Sequence, residues 1–230
     1  MTNGPILLEY NFNAGDILHY KSTIETKQGT TQHNKTSMVE NKIEIIYRWH
    51  VVEFLNGVYK LEISAESGTL TQNNVVQKMP PVDKPIFSFL KKSGEIVSEE
   101  TQQQISQQAF PGHPINIGDV WESREQTSFP GNPEPVMIIN NNTFENIENI
   151  NGFECAYLKT ECPVSKFEMQ PGVTLALEIK GQIHFAFREG LPIKSLFKTT
   201  TELIAPQIQQ NGERIISMEL VEINGKSLLT

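Results

Sequence analysis

The stretch "GVTLALEIKGQIHFAFRE", Gly172 to Glu189, decides the fold class. Val173, Leu175, Leu177, Ile179, Ile183, Phe185 and Phe187 fall on one side of a period-two pattern, opposite Thr174, Glu178, Lys180, Gln182, His184 and Arg188. Such alternation belongs to a strand or bent hairpin with one face in a core. Gly181 interrupts the apolar row, so a bulge or sharp bend is expected there. Burying this row contributes about 14 kcal/mol at roughly 2 kcal/mol per side chain. Fixing some fifteen backbones at roughly 1 kcal/mol or more each cancels it. The segment must be held by neighbouring strands.

The same alternation recurs in "NKIEIIYRWHVVEF", where Ile43, Ile45, Tyr47, Trp49 and Val51 share a face opposite Lys42, Glu44, Arg48 and His50. Asn56-Gly57 then precedes "VYKLEISA", Asn151-Gly152 precedes "FECAYLKTEC", and Asn211-Gly212 precedes "ERIISMELVEI". Asn-Gly closes two-residue hairpins because both central residues need positive φ. Three such pairs between alternating runs predict a meander of antiparallel strands. The helical candidate is "SEETQQQISQQAF", Ser98 to Phe110, whose apolar stripe is only Ile105 and Ala109 before "PGHP" ends it. The proline-rich stretches Met79–Pro85 and Phe129–Pro135 read as loops.

"FNAGDILHYKS" (Phe12 to Ser22) is echoed by "INIGDVWESRE" (Ile115 to Glu125), which pairs Gly15-Asp16 with Gly118-Asp119. "FLNGVYKL" and "NINGFECAYL" form a second echo, and "FSFLKKSGEIV" and "HFAFREGLPI" a third, in the same order. The offsets suggest a duplicated unit of about 100 residues, with one meander over 1–110 and a second over 111–230. Laid side by side in one sheet, each half would protect the other's edge and apolar face, making one structural domain. The Gly-Asp pairs read as turns that launch a strand, since Gly takes positive φ and Asp can bond nearby amides. One Asp alone supplies one ligand of the several that a metal needs.

The chain has 230 residues and a net charge of −8 with five histidines. That balance argues against nucleic acid or an anionic membrane as partner, because phosphate contacts come from Lys and Arg. No run of about 20 apolar residues spans a membrane, and no basic, then apolar leader opens the chain. Met1 read as a native start places the protein in the cytoplasm; the alternative is a removed leader and an extracytoplasmic protein. Cys155 and Cys162 are too few for a disulfide framework and are expected to be reduced, small apolar residues.

Catalytic signatures are lacking. His19, His33, His50, His113 and His184 show no metal spacing, no Gly-x-Ser-x-Gly elbow occurs, and no glycine-rich phosphate loop is present. Cys155 has no basic partner in the sequence, and Glu99-Glu100 look like a solvated helix start. These observations point to no cofactor and no metal, and to a protein that is more a binder than an enzyme. Trp49, Trp121, Tyr47, Phe87, Phe89, Phe185 and Phe187 lie at even strand spacing. Their ordinary place is a core; the alternative is the wall of a groove in a curved sheet.

With "GDILHYK" and "GDVWESR" opening each half, the chain resembles a group of uncharacterised bacterial all-β proteins. Their architecture is similar to the half-barrel of lipoprotein-localisation factors, and the resemblance implies a curved sheet that holds acyl chains against a helical lid. This sequence offers only one short helix as a lid, and no functional residue carries over from the resemblance. The expectation is an all-β protein of two similar antiparallel meanders, forming one large curved sheet or open barrel with at most one or two short helices. Its concave face would take an apolar or amphipathic small molecule, with Tyr47, Trp49 and Trp121 as the candidate contacts. That reading fails if the protein's own side chains fill the face and leave no cavity of roughly 300 Å³. The alternative is a structural or interaction domain that associates through a sheet face or edge, with an exposed apolar patch of several hundred Å².

Overall fold

Nearly all of the alternating runs become strands in a computed structural model, which describes residues 4–32, 35–73, 75–82, 84–97, 110–127 and 136–228. In chain order these are β1 (Ile17–Gln32), β2 (Lys35–Leu55), β3 (Val58–Gln72), β4 (Val75–Met79), β5 (Ile86–Lys91) and β6 (Val120–Thr127). They continue with β7 (Val136–Ile150), β8 (Phe153–Gln170), β9 (Val173–Ala186), β10 (Leu191–Ala205), β11 (Ile208–Ile223) and β12 (Lys226–Ser227). All twelve belong to one antiparallel sheet in the order β4-β3-β2-β1-β11-β10-β9-β8-β7-β6, with β12 on β11 and β5 on β3. The sheet has two ends and is not closed into a barrel. No helix occurs among the described residues; the helical candidate at 98–109 lies outside them.

Two consecutive runs, β1–β4 and β6–β11, meet where β1 pairs with β11. Both runs open on a Gly-Asp turn built with the same hydrogen bonds. Gly15 has φ +92° and donates its N–H to the Val51 carbonyl at 2.7 Å, while the Asp16 carboxylate accepts from the Asn13 amide at 2.7 Å. Gly118 has φ +93° and donates to the Phe144 carbonyl at 2.7 Å, while Asp119 accepts from the Asn116 amide at 2.8 Å. Each carboxylate thus satisfies a turn amide next to the start of a strand. The Asp16 turn also receives the Asn224 side-chain amide at 3.0 Å, which ties the C-terminal hairpin to it.

Asn56-Gly57 and Asn151-Gly152 take positive φ at both residues and close the β2–β3 and β7–β8 hairpins, as the sequence predicts. Asn211-Gly212 does not turn. It runs inside β11, paired with β1 on one side and β10 on the other. The β10–β11 hairpin closes instead at Pro206-Gln207, and the third Asn-Gly turn is Asn224-Gly225, with φ +48° and +79°. Pairing on both sides of Asn211 outweighs the local turn preference.

Gly181 also departs from expectation. The register of β9 runs through it unbroken against both β8 and β10. Its role is room, since a Cβ there would sit 2.3 Å from the Phe197 ring opposite. The ring lies over the glycine, a packing that bare backbone permits.

The sheet bends strongly. Ring centroids link Tyr59 of β3 to Phe12 at 5.3 Å, Phe12 to Tyr10 at 5.6 Å, and Tyr10 to Phe185 of β9 at 5.4 Å. Those strands are five spacings apart, roughly 24 Å in a flat sheet. Three short steps across the gap require the sheet to curl around the segment that bridges it. That segment is residues 6–12: Ile6, Leu8, Tyr10 and Phe12 are buried, while Leu7 is exposed. It is held by Ile6–Ile115 bonds of 2.8 Å in both directions, by the Tyr10 amide on the Lys92 carbonyl, and by the Asn11 amide on the Gly190 carbonyl.

Candidate functional site

Strand register sorts every side chain onto an inner or an outer face. Inward rows cross the sheet through paired residues, such as Trp49–Leu18–Ile223, Tyr47–Tyr20–Leu220, and Ile43–Ile24–Ile216–Phe197. The outer face carries cross-strand charges: Lys159 meets Glu145 at 3.0 Å, Lys21 meets Glu44 at 3.5 Å, and Lys198 meets Glu213. Pairs of this kind on a solvated face contribute little each, of order 0–1 kcal/mol. His19 lies between Glu222 at 3.1 Å and Glu66 at 3.3 Å, and His184 contacts Glu148 at 2.9 Å. No group of three or more residues that could hold a metal occurs among the described residues.

The inner face divides in two. At the Gly-Asp end, Leu18, Tyr20, Trp49, Leu61, Phe144, Leu158, Phe185 and Leu220 form one buried cluster with Tyr10, Phe12, Phe110 and Ile115 laid over them. Burial pushes the Tyr10 and Tyr20 hydroxyls up, and the Cys155 thiol up to about 12. Cys155 and Cys162 are both free and buried. A thiol that resists ionisation is a poor nucleophile, and Cys155 serves here as a small core residue.

Beyond the Tyr47–Tyr20 row the inner face opens. Ile24, Ile43, Ile45, Tyr47, Leu70, Ile179, Ile216 and Met218 are half-buried there. Side by side they floor a trough whose walls are the curled sheet. Toward β7, Ile138, Cys162 and Leu177 make a second small buried cluster. Next to it Asn142 is buried and accepts from the Thr160 hydroxyl at 2.9 Å, while its amide donates to the Ser123 hydroxyl at 3.0 Å.

The three candidate contacts belong to the large buried cluster or pack against it. Trp49 is 1% exposed and packs on Tyr20 with ring centroids 4.7 Å apart. Tyr47 is half-buried at the boundary between closed and open halves. Burial pushes its hydroxyl up, and the Arg214 guanidinium partly offsets that. Trp121 sits on the edge strand β6 opposite Asn142 and packs against the core from the side.

Two depressions formed by described residues are smaller than the roughly 300 Å³ expected of a ligand cavity. They measure about 150 and 260 Å³ and lie on the outer face, the first lined by Asn141, Thr143, Glu145, Lys159 and Glu161, the second centred on Tyr157, Lys180 and Gln182. Neither lies on the inner face, where Ile24, Ile43, Ile45 and Ile216 are left half-buried and not filled over by the protein's own side chains. Sequence reasoning also missed the segment 6–12, although Ile6, Leu8, Tyr10 and Phe12 keep the period of two.

No protein-family model matches the sequence, and no curated protein matches it. Among solved structures, the chain is similar to one of lipovitellin that addresses its lipid–protein interactions, with 8% identity and a TM-score of 0.46. That likeness covers 96% of this chain and 26% of the other, so the chain spans about a quarter of that structure's length. A putative outer membrane lipoprotein-sorting protein domain from Vibrio parahaemolyticus shares 8% identity over 92% of this chain and 86% of its own, with a TM-score of 0.17. A DUF1329-family protein from Desulfovibrio piger shares 11% over 88% and 84%, with a TM-score of 0.16. These likenesses record weak all-β resemblance, and no residue's role passes from them to this chain. Among the described residues, no helix is long and apolar enough to cross a membrane.

Proposed function

We propose that the protein binds an apolar or amphipathic small molecule in the open half of its inner sheet face. One observation carries the reading: the inner rows continue past the point where the segment 6–12 stops covering them, leaving Ile24, Ile43, Ile45, Ile216 and Met218 half-buried. An apolar floor on the concave side of a curled sheet, set against a paired-charge outer side, is where apolar area can still be removed from water.

Tyr47 is the sequence candidate best placed for contact, because it borders the open half, whereas Trp49 is enclosed. Binding needs no catalytic group. The reading is tested by titrating the full chain with the neutral fluorophore N-phenyl-1-naphthylamine. Saturable enhancement is expected, reduced at least tenfold in affinity by Ile216→Lys, which places a charge in the floor. A flat titration of the folded protein, or an unchanged one in that variant, defeats the proposal.

A further inference from the structure

Across β1, β2, β3, β9, β10 and β11, between the Tyr20–Tyr47 row and the Gln28–Val39 row, one charged side chain among the described residues is turned inward by the register. It is Arg214. Its neighbours in the row are Thr26 of β1 and Thr199 of β10, both half-buried. Ile216 and Met218 lie on the same face toward the core, at alternate positions of β11. Arg214 is exposed, makes no ion pair with a described residue, and its charge is felt at the Tyr47 hydroxyl. The outer-face cations Lys21, Lys42, Lys159, Lys180 and Lys198 each have a carboxylate within reach. Of the four arginines, Arg48, Arg124 and Arg188 each meet a glutamate, and Arg214 alone stands over an aliphatic floor without an ion pair among the described residues.

We infer that the trough takes a single-chain amphiphile with a carboxylate head, the head on Arg214 and the hydroxyls of Thr26 and Thr199, the alkyl chain over Ile216, Ile24, Ile43 and Met218. Charge complementarity selects the head. A guanidinium presents a planar fork that matches a carboxylate with two parallel hydrogen bonds, and flanking hydroxyls can donate to the same oxygens. Shape selects the tail. From Arg214 to the Leu220 row, six residues of strand provide about 20 Å of floor, suited to an extended chain. A single cation balances a single negative charge. This inference rests on the trough reading of the previous subsection and adds the head group and its anchor.

Displacement of N-phenyl-1-naphthylamine by a series with one tail and three heads separates the two claims: dodecanoate, dodecanol and dodecyltrimethylammonium. The wild-type chain is expected to bind dodecanoate about tenfold tighter than dodecanol, and the cation more weakly than either. Arg214→Met, which keeps the aliphatic stem, is expected to remove the preference for dodecanoate over dodecanol. Arg214→Lys should restore part of the preference. Equal affinities in the wild type, or a preference that survives Arg214→Met, overturn the head-group assignment and leave the trough reading standing. Failure of the naphthylamine to bind at all sinks both. Binding to phosphatidylglycerol vesicles that is lost in Arg214→Met, with no dodecanoate preference, would overturn it in favour of a membrane surface.

Discussion

The closed and open halves of the inner face are made of the same strands with the same period, yet one is a core and the other a trough. The closed half includes Tyr20, Trp49 and Phe185, each no more than 1% exposed. The open half includes Ile24, Ile43 and Ile216, which remain half-buried. Alternation is equally good in both. The difference is a third layer: residues 6–12, with Phe110 and Ile115, cover one half and leave the other. Amphipathic alternation therefore specifies which side faces inward, and burial depends on what is laid over it.

The sharpest way to break that comparison is to remove the layer's anchor. Phe185 meets Tyr10 edge-on at 5.4 Å and Phe110 at 4.6 Å. Phe185→Ala should cost about 3–5 kcal/mol of unfolding free energy, since a large buried ring is lost and its site cannot collapse fully. Urea denaturation measures this. A loss under 1 kcal/mol would mean that the segment 6–12 does not seal this half.

Alkaline pH probes the same half without mutation. The Cys155 thiol is held up at about 12 in the fold, above its ordinary value near 9. The unfolded chain releases this proton first, so the native state binds more protons between those values. Stability is therefore full below about pH 9 and falls as pH rises toward 12, a direction shared by Tyr10 and Tyr20. In the folded protein at pH 8 a thiol reagent should leave Cys155 unmodified, and react with it once urea is added. Rapid modification of the native protein at Cys155 would contradict the burial.

At the seam between the halves, Gly181→Ala should cost about 1–3 kcal/mol, because Phe197 must leave the position it holds over the glycine. Thermal denaturation detects it, and a neutral result would show that the ring has another place to go. In the open half, Ile216→Ser should cost no more than about 1 kcal/mol, the floor being half-exposed already, while weakening naphthylamine binding. Large destabilisation without a change in binding would make that half a core like the other.

Much of the architecture was legible because it is local. "KIEIIYRWHVV" and "VTLALEIKGQIHFAF" declare their faces by period alone, and Asn56-Gly57 and Asn151-Gly152 declare their turns. What escaped reading depends on distant partners. Asn211-Gly212 has a turn's composition, but residues 28 and 29 of β1 pair with it from far along the chain. Gly181 looks like a bulge until Phe197 is known to lie opposite. Arg214 is one of many charges in the sequence, and only register between β1, β11 and β10 shows that it points the other way from Glu213 and Lys198. The aromatic pattern has the same limit: even spacing puts Tyr47 and Trp49 on one face, and says nothing of where the cover ends.

The smallest effect lies outside both halves and checks that the inner face is what matters. Glu44 faces outward, with Lys21 at 3.5 Å and Lys42 at 3.6 Å, and its side chain is 37% exposed. Each of these contacts is solvated on a polar sheet face, where Coulomb attraction is weak and long side chains lose freedom by pairing. Glu44→Gln should change stability by no more than about 0.5 kcal/mol and leave both naphthylamine and dodecanoate binding unaltered. Glu44 lies between Ile43 and Ile45 of the trough floor, one position along the strand from each. A change in ligand affinity from that substitution would mean that β2 presents both of its faces to the ligand, which a one-sided trough does not allow.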